Sequence, residues 1–437
     1  MTLFALAAVL EAIFLRMALL GDLRTRIVET IGLLLASGLF YLVCTYLVLR
    51  GRSQVRQAWI IGAAVLFRLT LWPLYPALSD DVFRYRWEGK LQASGGNPYQ
   101  VRPNDAEWQF LRDESFPSTP GRDFRAVYGP LVELIERITY RAVSRFETRP
   151  YAQAFWFKVP AALFDLGALA ALWRLLKVKK LPAERILIYA WSPLPLMEFW
   201  GTGHNDSIVV FFVVLALIAA AYDRWTWAFA ALALATASKI WPIFLFPAFM
   251  AAAGWRRWRE CLVAAPVVAL VSLPYLTQWP GIEENFRFLS GFLGGWRNND
   301  SLFGVLLWVA GGDFYLAKKL AFAIVCLVVA AVTALRWPVE RAALTIVTAL
   351  LMVSANCHAW YLTWMMPLLV LCPVPPLLLW VALAPLAHAA VIGWVGTGEW
   401  NGSTAIRYYE YVPVYVSLLV WLAVGQRAKR LGGQHLW

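Results

Sequence analysis

Long apolar runs, each ended by Arg, Lys or Pro, dominate this chain. Runs such as Ser207–Tyr222 and Leu316–Leu335 approach the roughly 20 apolar residues that cross a bilayer. The pattern predicts spans at Leu3–Leu20, Ile27–Leu49, Ala58–Tyr75, Ala152–Leu176, Ile186–Trp200 and Ser207–Tyr222. It predicts more at Cys261–Trp279, Tyr315–Leu335, Ala342–Ala355, Tyr361–Leu371, Leu377–Val395 and Tyr411–Val424. Trp225–Ala237 and Ile240–Ala253 are each short for a straight span. They read as a broken pair meeting at Ser238-Lys239. The expected fold class is an all-α polytopic transmembrane helical bundle of about 12–14 spans.

Basic residues set the expected orientation. Arg50, Arg52 and Arg56, then Arg174, Lys177, Lys179 and Lys180, then Arg256-Arg257, and finally Arg427, Lys429 and Arg430 sit in short connections or at the end. Such clusters mark cytoplasmic loops. Both termini then lie inside a multi-pass protein of the inner (plasma) membrane. Two long loops lie outside: 75–150, with interfacial helices, and 278–314. Residues 1–437 read as one integral membrane domain. No cleavage pattern follows Leu3–Leu20, so that segment reads as a retained span.

Composition agrees. Hydrophobic residues make up 60% of the chain and charged residues 15%, against about 45–50% and 25% in soluble domains. The 24 Trp and 17 Tyr fit belts at the two membrane surfaces. The net charge of +12 does not indicate a nucleic-acid partner, because the basic residues sit in short loops where they set topology and meet anionic lipid. Cys44, Cys261, Cys326, Cys357 and Cys372 form no CxxC pair, so neither a disulfide framework nor a zinc site is expected.

Five polar groups interrupt the apolar pattern, and the topology puts them all on the external side. Asp80-Asp81 follow a hydrophobic span and open the segment that includes Arg84, Tyr85 and Glu88. A carboxylate pair at a membrane surface suits proton abstraction or metal binding; capping by Ser79 of a helix that begins here is the plainer reading. His204-Asn205-Asp206 stand at a span junction, where they can orient a sugar hydroxyl, tune a base or cap the next helix. Lys239 lies between two short apolar segments, placed to bind phosphate or to reach the interface. His358, Trp360 and Tyr361 form a fourth group, able to meet phosphate or stack on a sugar ring. Trp296, Asn298 and Asp300 form a fifth, in the second loop, suited to acceptor binding or to solvation. His388, in an apolar run, reads as a satisfied interior histidine. There is no P-loop, GxSxG elbow or HExxH helix.

The segments Ser79-Asp80-Asp81 with Tyr85, Gly96-Asn97-Pro98-Tyr99, Tyr128-Gly129-Pro130, Gly203-His204-Asn205-Asp206, Ser238-Lys239 with Pro242, and His358-Ala359-Trp360-Tyr361 with Trp364 carry a family resemblance. From about Trp72 to Pro367 the chain resembles the GT-C superfamily of polytopic glycosyltransferases, in particular the bacterial mannosyltransferase-like and family 87 enzymes. The resemblance implies transfer of a hexose, mannose first, from a polyprenyl-phosphate donor to a hydroxyl of a lipid or glycan acceptor. Transfer would be inverting, on the extracytoplasmic side, with an Asp of the first loop as base. Asp81 is preferred to Asp80, because its spacing to Pro98 resembles that of the second acid of the Asp-x-Asp motif in related glycolipid mannosyltransferases. Lys239, His358, Arg84, Tyr85, His204, Asn205, Asp206 and Tyr361 would bind donor, with Arg125 a further cation; Trp296, Asn298, Asp300 and Tyr128 would meet acceptor. No cofactor is implied and no metal cage is visible. The competing reading is a transporter or flippase of lipid-linked glycans, which needs polar residues on both sides of the midplane.

Overall fold

Inside a bilayer the backbone can bond only to itself, so apolar runs become helices. A computed structural model describes residues 3–52, 56–76, 78–276, 296–398 and 404–430. Among the described residues there is no β-sheet, only an isolated parallel bridge between Asn298 and Asn356. Among the described residues, six helical stretches are long and apolar enough to cross a membrane: Ile27–Leu49, Pro150–Val178, Trp255–Leu276, Phe314–Ala334, Pro375–Thr397 and Ala405–Gly425. Shorter apolar helices at Gln57–Leu71, Asp206–Ala221, Trp225–Ser238 and Trp241–Ala253 pack among them.

Several expected spans are broken rather than straight. Ile186–Trp200 resolves into the helical pieces Ala183–Ile186, Leu187–Ala190 and Pro193–Pro195, followed by a π-helical turn at Leu196–Thr202. Pro193 and Pro195 lack the N–H that a continuous ladder requires. Tyr361–Leu371 becomes a 3-10 segment, Ala359–Trp364, and a short helix, Met366–Leu371. The broken pair at Ser238-Lys239 is present: one helix ends at Ser238, Lys239 is extended, and a 3-10 turn begins at Trp241. The end of the expected Cys261–Trp279 span and much of the expected 278–314 loop lie outside the described residues. Within that loop, the apolar octet Leu302–Val309 forms a helix where the pattern predicts an external loop.

One apolar core runs from Leu3 to Val414. Inside it Arg68 and Asp165 form a buried ion pair at 2.7 Å. Arg68 also donates to the Ala64 and Ala190 carbonyls, and Asp165 accepts from Tyr189 and Trp200. Satisfying the spare donors and acceptors is the condition under which buried charge is tolerated.

The first long loop folds on itself. Helix Asp81–Ala93 packs on helix Pro130–Val143 at Gly89, where a Cβ would stand 2.5 Å from the Glu136 carbonyl. Helix Pro130–Val143 buries Glu133 and Glu136 against its neighbour and leaves Ile138 exposed. A polar inner face with an apolar outer face suits a helix lying at a membrane surface.

Candidate active site

Asp80 and Asp81 separate at the start of their helix. Ser79 Oγ accepts the Asp81 N–H at 3.2 Å. Asp80 turns toward Arg24 at 2.8 Å and Trp394 Nε1 at 3.1 Å. Burial pushes its carboxyl above the usual range, and Arg24 works against that shift. Asp81 faces the other way. Its Oδ2 accepts from Tyr128 at 3.4 Å and stands 3.7 Å from His204 Nε2. Its side chain keeps 28% of its exposure, whereas the His204 side chain keeps 1%.

Tyr128 reaches Asp81 because Gly129 lets the loop touch the broken pair. The Gly129 N–H donates to the Ser238 carbonyl at 3.1 Å, and a Cβ at 129 would stand 2.1 Å from the Ala237 carbonyl. Burial, and then the charge of Asp81, push the Tyr128 phenol upward, so it remains a donor. Tyr85 lies edge-on to Tyr128, with ring centroids 5.3 Å apart.

Lys239 extends from the break. Its Nζ meets Asp206 Oδ1 at 2.9 Å and lies 5.4 to 5.8 Å from the ring centres of Tyr361, Tyr128 and Trp364. Asp206 also accepts from Trp364 Nε1 at 2.6 Å. Neither Asn205 nor Asp206 caps its helix through its side chain. Both amide atoms of Asn205 are buried without a hydrogen-bond partner. A small cavity beside them is lined by Tyr85, Glu136, Gly203 and Asn205, among others.

Trp360 stacks on His204 at 4.0 Å and on His358 at 4.4 Å. Two parallel imidazoles at those distances cannot share one face of an indole, so Trp360 lies between them. His358 Nδ1 is 3.0 Å from Asn298 Nδ2. Burial, with the Lys239 charge nearby, lowers His358 to about 3, so it is a neutral imidazole at ordinary pH. The 296–300 segment runs beside 355–357, with the Asn298 N–H on the Ala355 carbonyl and the Cys357 N–H on the Asn298 carbonyl.

The molecule thus gathers Asp81, Tyr85, Tyr128, His204, Asn205, Asp206, Lys239, His358 and Tyr361. Arg84 is not presented to this cluster. Its guanidinium is committed to Glu88 at 2.6 Å and to the carbonyls of Gly121 and Phe124, which pins the first long loop. Asp300 is held between Arg297 and Arg407. Trp296 is half exposed at the rim, at a centroid distance of 6.1 Å from His358.

Three residues that the sequence reading did not assign to the site stand behind it. Glu198, in the π-turn, meets His204 Nδ1 at 2.9 Å and His388 Nε2 at 2.9 Å. Lys158, fully buried, donates to the Trp72 and Leu74 carbonyls just before the Asp80-Asp81 segment. Gly203 has φ +86°, and a Cβ there would meet Lys158 Cγ at 2.7 Å. The π-turn is the local signal that sequence periodicity could not supply.

Glu88, Glu133 and Glu136 bring three buried carboxylates within 4.8 Å of one another. Oxygen sets of this kind suit a hard cation. Here Arg84 and Gln92 already take one oxygen each of Glu88 and Glu133. Burial, and then the charge of Glu88, push Glu133 and Glu136 well above the usual carboxylate range.

A polytopic α-bundle that gathers carboxylate, imidazole, ammonium and aromatic rings around one polar cluster has the make-up of a membrane glycosyltransferase. Residues 4–255, more than half of the chain, match the MptA_B family model, described as alpha-(1->6)-mannopyranosyltransferase, N-terminal domain. The chain belongs to this family, and it is a membrane enzyme with mannosyltransferase activity. Sugar donor, acceptor and lipid bilayer are its partners, and the transporter reading gives way. No curated protein and no solved structure matches the chain.

Proposed function

We propose that the enzyme moves mannose from a polyprenyl-phosphate donor to an acceptor hydroxyl at the extracytoplasmic face of the plasma membrane, with inversion. The observation that carries this reading is the meeting of Asp81, Tyr128, His204 and Lys239 at one place. Asp81 takes the proton of the acceptor hydroxyl as that oxygen attacks the anomeric carbon. The bond from that carbon to the phosphate oxygen breaks on the opposite face. The departing phosphate needs cationic or hydrogen-bonding partners. Lys239 supplies a charge whose other ammonium hydrogens remain after Asp206 takes one. His358 supplies a neutral donor. Asn205, with an unpaired buried amide, is placed for sugar hydroxyls. Trp296 and Asn298 lie on the acceptor side. The chain works as a single membrane domain in this reading, and no step requires a metal.

The test is transfer of radiolabelled mannose from polyprenyl-phosphate mannose in membranes that carry the wild type or Asp81→Asn. Transfer by the wild type and its loss in the variant, at equal expression, support the reading. Transfer from a nucleotide-linked mannose instead would replace the donor class.

A further inference from the structure

Glu198 sits in the middle of a buried polar chain that the transfer step above does not use. Its Oε2 meets His204 Nδ1 and its Oε1 meets His388 Nε2, each at 2.9 Å. His204 Nε2 points to Asp81 Oδ2 at 3.7 Å and has no other hydrogen-bond partner, although it is buried. The order Asp81, His204, Glu198, His388 leads inward from the one partly exposed member to fully buried ones.

We infer that His204, oriented by Glu198, is the second station for the proton that Asp81 removes from the acceptor. This inference rests on the reading of Asp81 as base. A carboxylate can only accept, so Glu198 fixes the hydrogen of His204 on Nδ1. The Nε2 lone pair then faces Asp81. While Asp81 is ionised, the pair has no proton to share, and a separation of 3.7 Å is what two acceptors keep. Once the acceptor proton reaches Asp81, its O–H can close on Nε2 to about 2.6–3.2 Å and hand the proton over. The imidazolium so formed lies between two carboxylates, Glu198 and the restored Asp81. After the product leaves, the proton returns through Asp81 to water. No electron changes hands, and the site resets.

Local structure prepares this arrangement. The N–H groups of Gly203 and His204 both donate to the Glu198 carbonyl, at 3.0 and 2.8 Å, so the imidazole and its carboxylate belong to one tight turn. Trp360 covers a face of the imidazole and excludes water from it. The charged and titratable groups around His204 are Asp81, Glu198, His388 beyond Glu198, His358 across Trp360, and the Lys239–Asp206 pair. His358 stays neutral down to about 3, so it does not contribute an acid limb near neutral pH.

The test uses the full-length enzyme and reads kcat against pH for mannose transfer, with the wild type beside Glu198→Gln and His204→Gln. Glutamine at 198 keeps the shape but removes the charge that makes His204 a proton acceptor. Glu198→Gln should lose about 10²-fold in kcat, keep its donor KM, and move the acid limb to lower pH. His204→Gln should lose a similar factor and leave only the acid limb that the ionisation of Asp81 imposes. It also carries the test if Glu198→Gln does not accumulate, because its amide can still bond Glu198. A purely structural role would lower the folded amount and leave the limb in place, and that outcome overturns the inference. So does wild-type kcat in both variants while Asp81→Asn is inactive. If Asp81→Asn is fully active, the base assignment itself has failed.

Discussion

Asp80 and Asp81 are adjacent in sequence and serve different parts of the molecule. Asp80 ties Arg24 to Trp394, and Asp81 meets Tyr128 and His204. Substitution should therefore separate the two. Asp81→Asn should lower mannose transfer by about 10²–10⁴-fold at normal expression. Asp80→Asn should lower the amount of folded protein and leave turnover per folded molecule near wild type. Transfer assays normalised to purified protein check both.

Lys239→Met should reduce kcat/KM for the donor by about 10²–10³-fold, the loss seen when one charge-stabilising donor is removed. Lys239→Arg should recover part of it. Equal activity of Lys239→Met and wild type would remove Lys239 from the phosphate site.

Asn205 buries an amide with neither atom hydrogen-bonded. An unpaired buried polar group costs about 1–3 kcal/mol. Asn205→Ala should therefore leave thermal stability unchanged or raise it, while KM for sugar substrate rises. A drop in stability would mean that the amide has a structural duty instead.

Arg68→Leu leaves Asp165 as a charge without its ionic partner inside the bundle. The expected loss is about 3–5 kcal/mol, read as a lower Tm in detergent. Arg68→Leu combined with Asp165→Leu should lose less than Arg68→Leu alone.

The Glu88, Glu133 and Glu136 group gives a pH dependence with a definite sign. Glu133 and Glu136 are raised in the folded protein, so the folded state binds more protons than the unfolded one. Their contribution is present below the ordinary glutamate range and is lost as pH rises toward the raised values. Glu136→Gln cannot ionise. Its stability relative to wild type should improve as pH rises above the ordinary glutamate range, measured as the difference in Tm between the two proteins at each pH. A constant difference would show that Glu136 does not titrate there.

Much of the site was legible in the sequence because its members interrupt apolar runs. Asp81, His204, Lys239 and His358 each stand beside a span end, and the structure brings all four together. Arg84 stands apart from the cluster for a reason its neighbours in sequence do not show: the carbonyls of Gly121 and Phe124 that occupy it lie far along the chain. Glu198 was invisible because it sits within an apparent span, and its second partner is 190 residues away. His388 read as a satisfied interior histidine, and its satisfaction proves to be Glu198. The all-α bundle followed from apolar length alone. The breaks in it did not, because a π-turn and a 3-10 segment keep the apolar composition of the helix they interrupt.

The position of Trp360 between His204 and His358 has a consequence for biosynthesis. A chain grown only as far as Trp255 holds Asp81, His204, Glu198 and Lys239, but it has neither Trp360 to cover His204 nor His388 to share Glu198. Until those later residues emerge from the ribosome, a polar turn waits within an apolar bundle without its cover. The nascent chain therefore carries this polar cluster uncovered until Trp360 and His388 have been made.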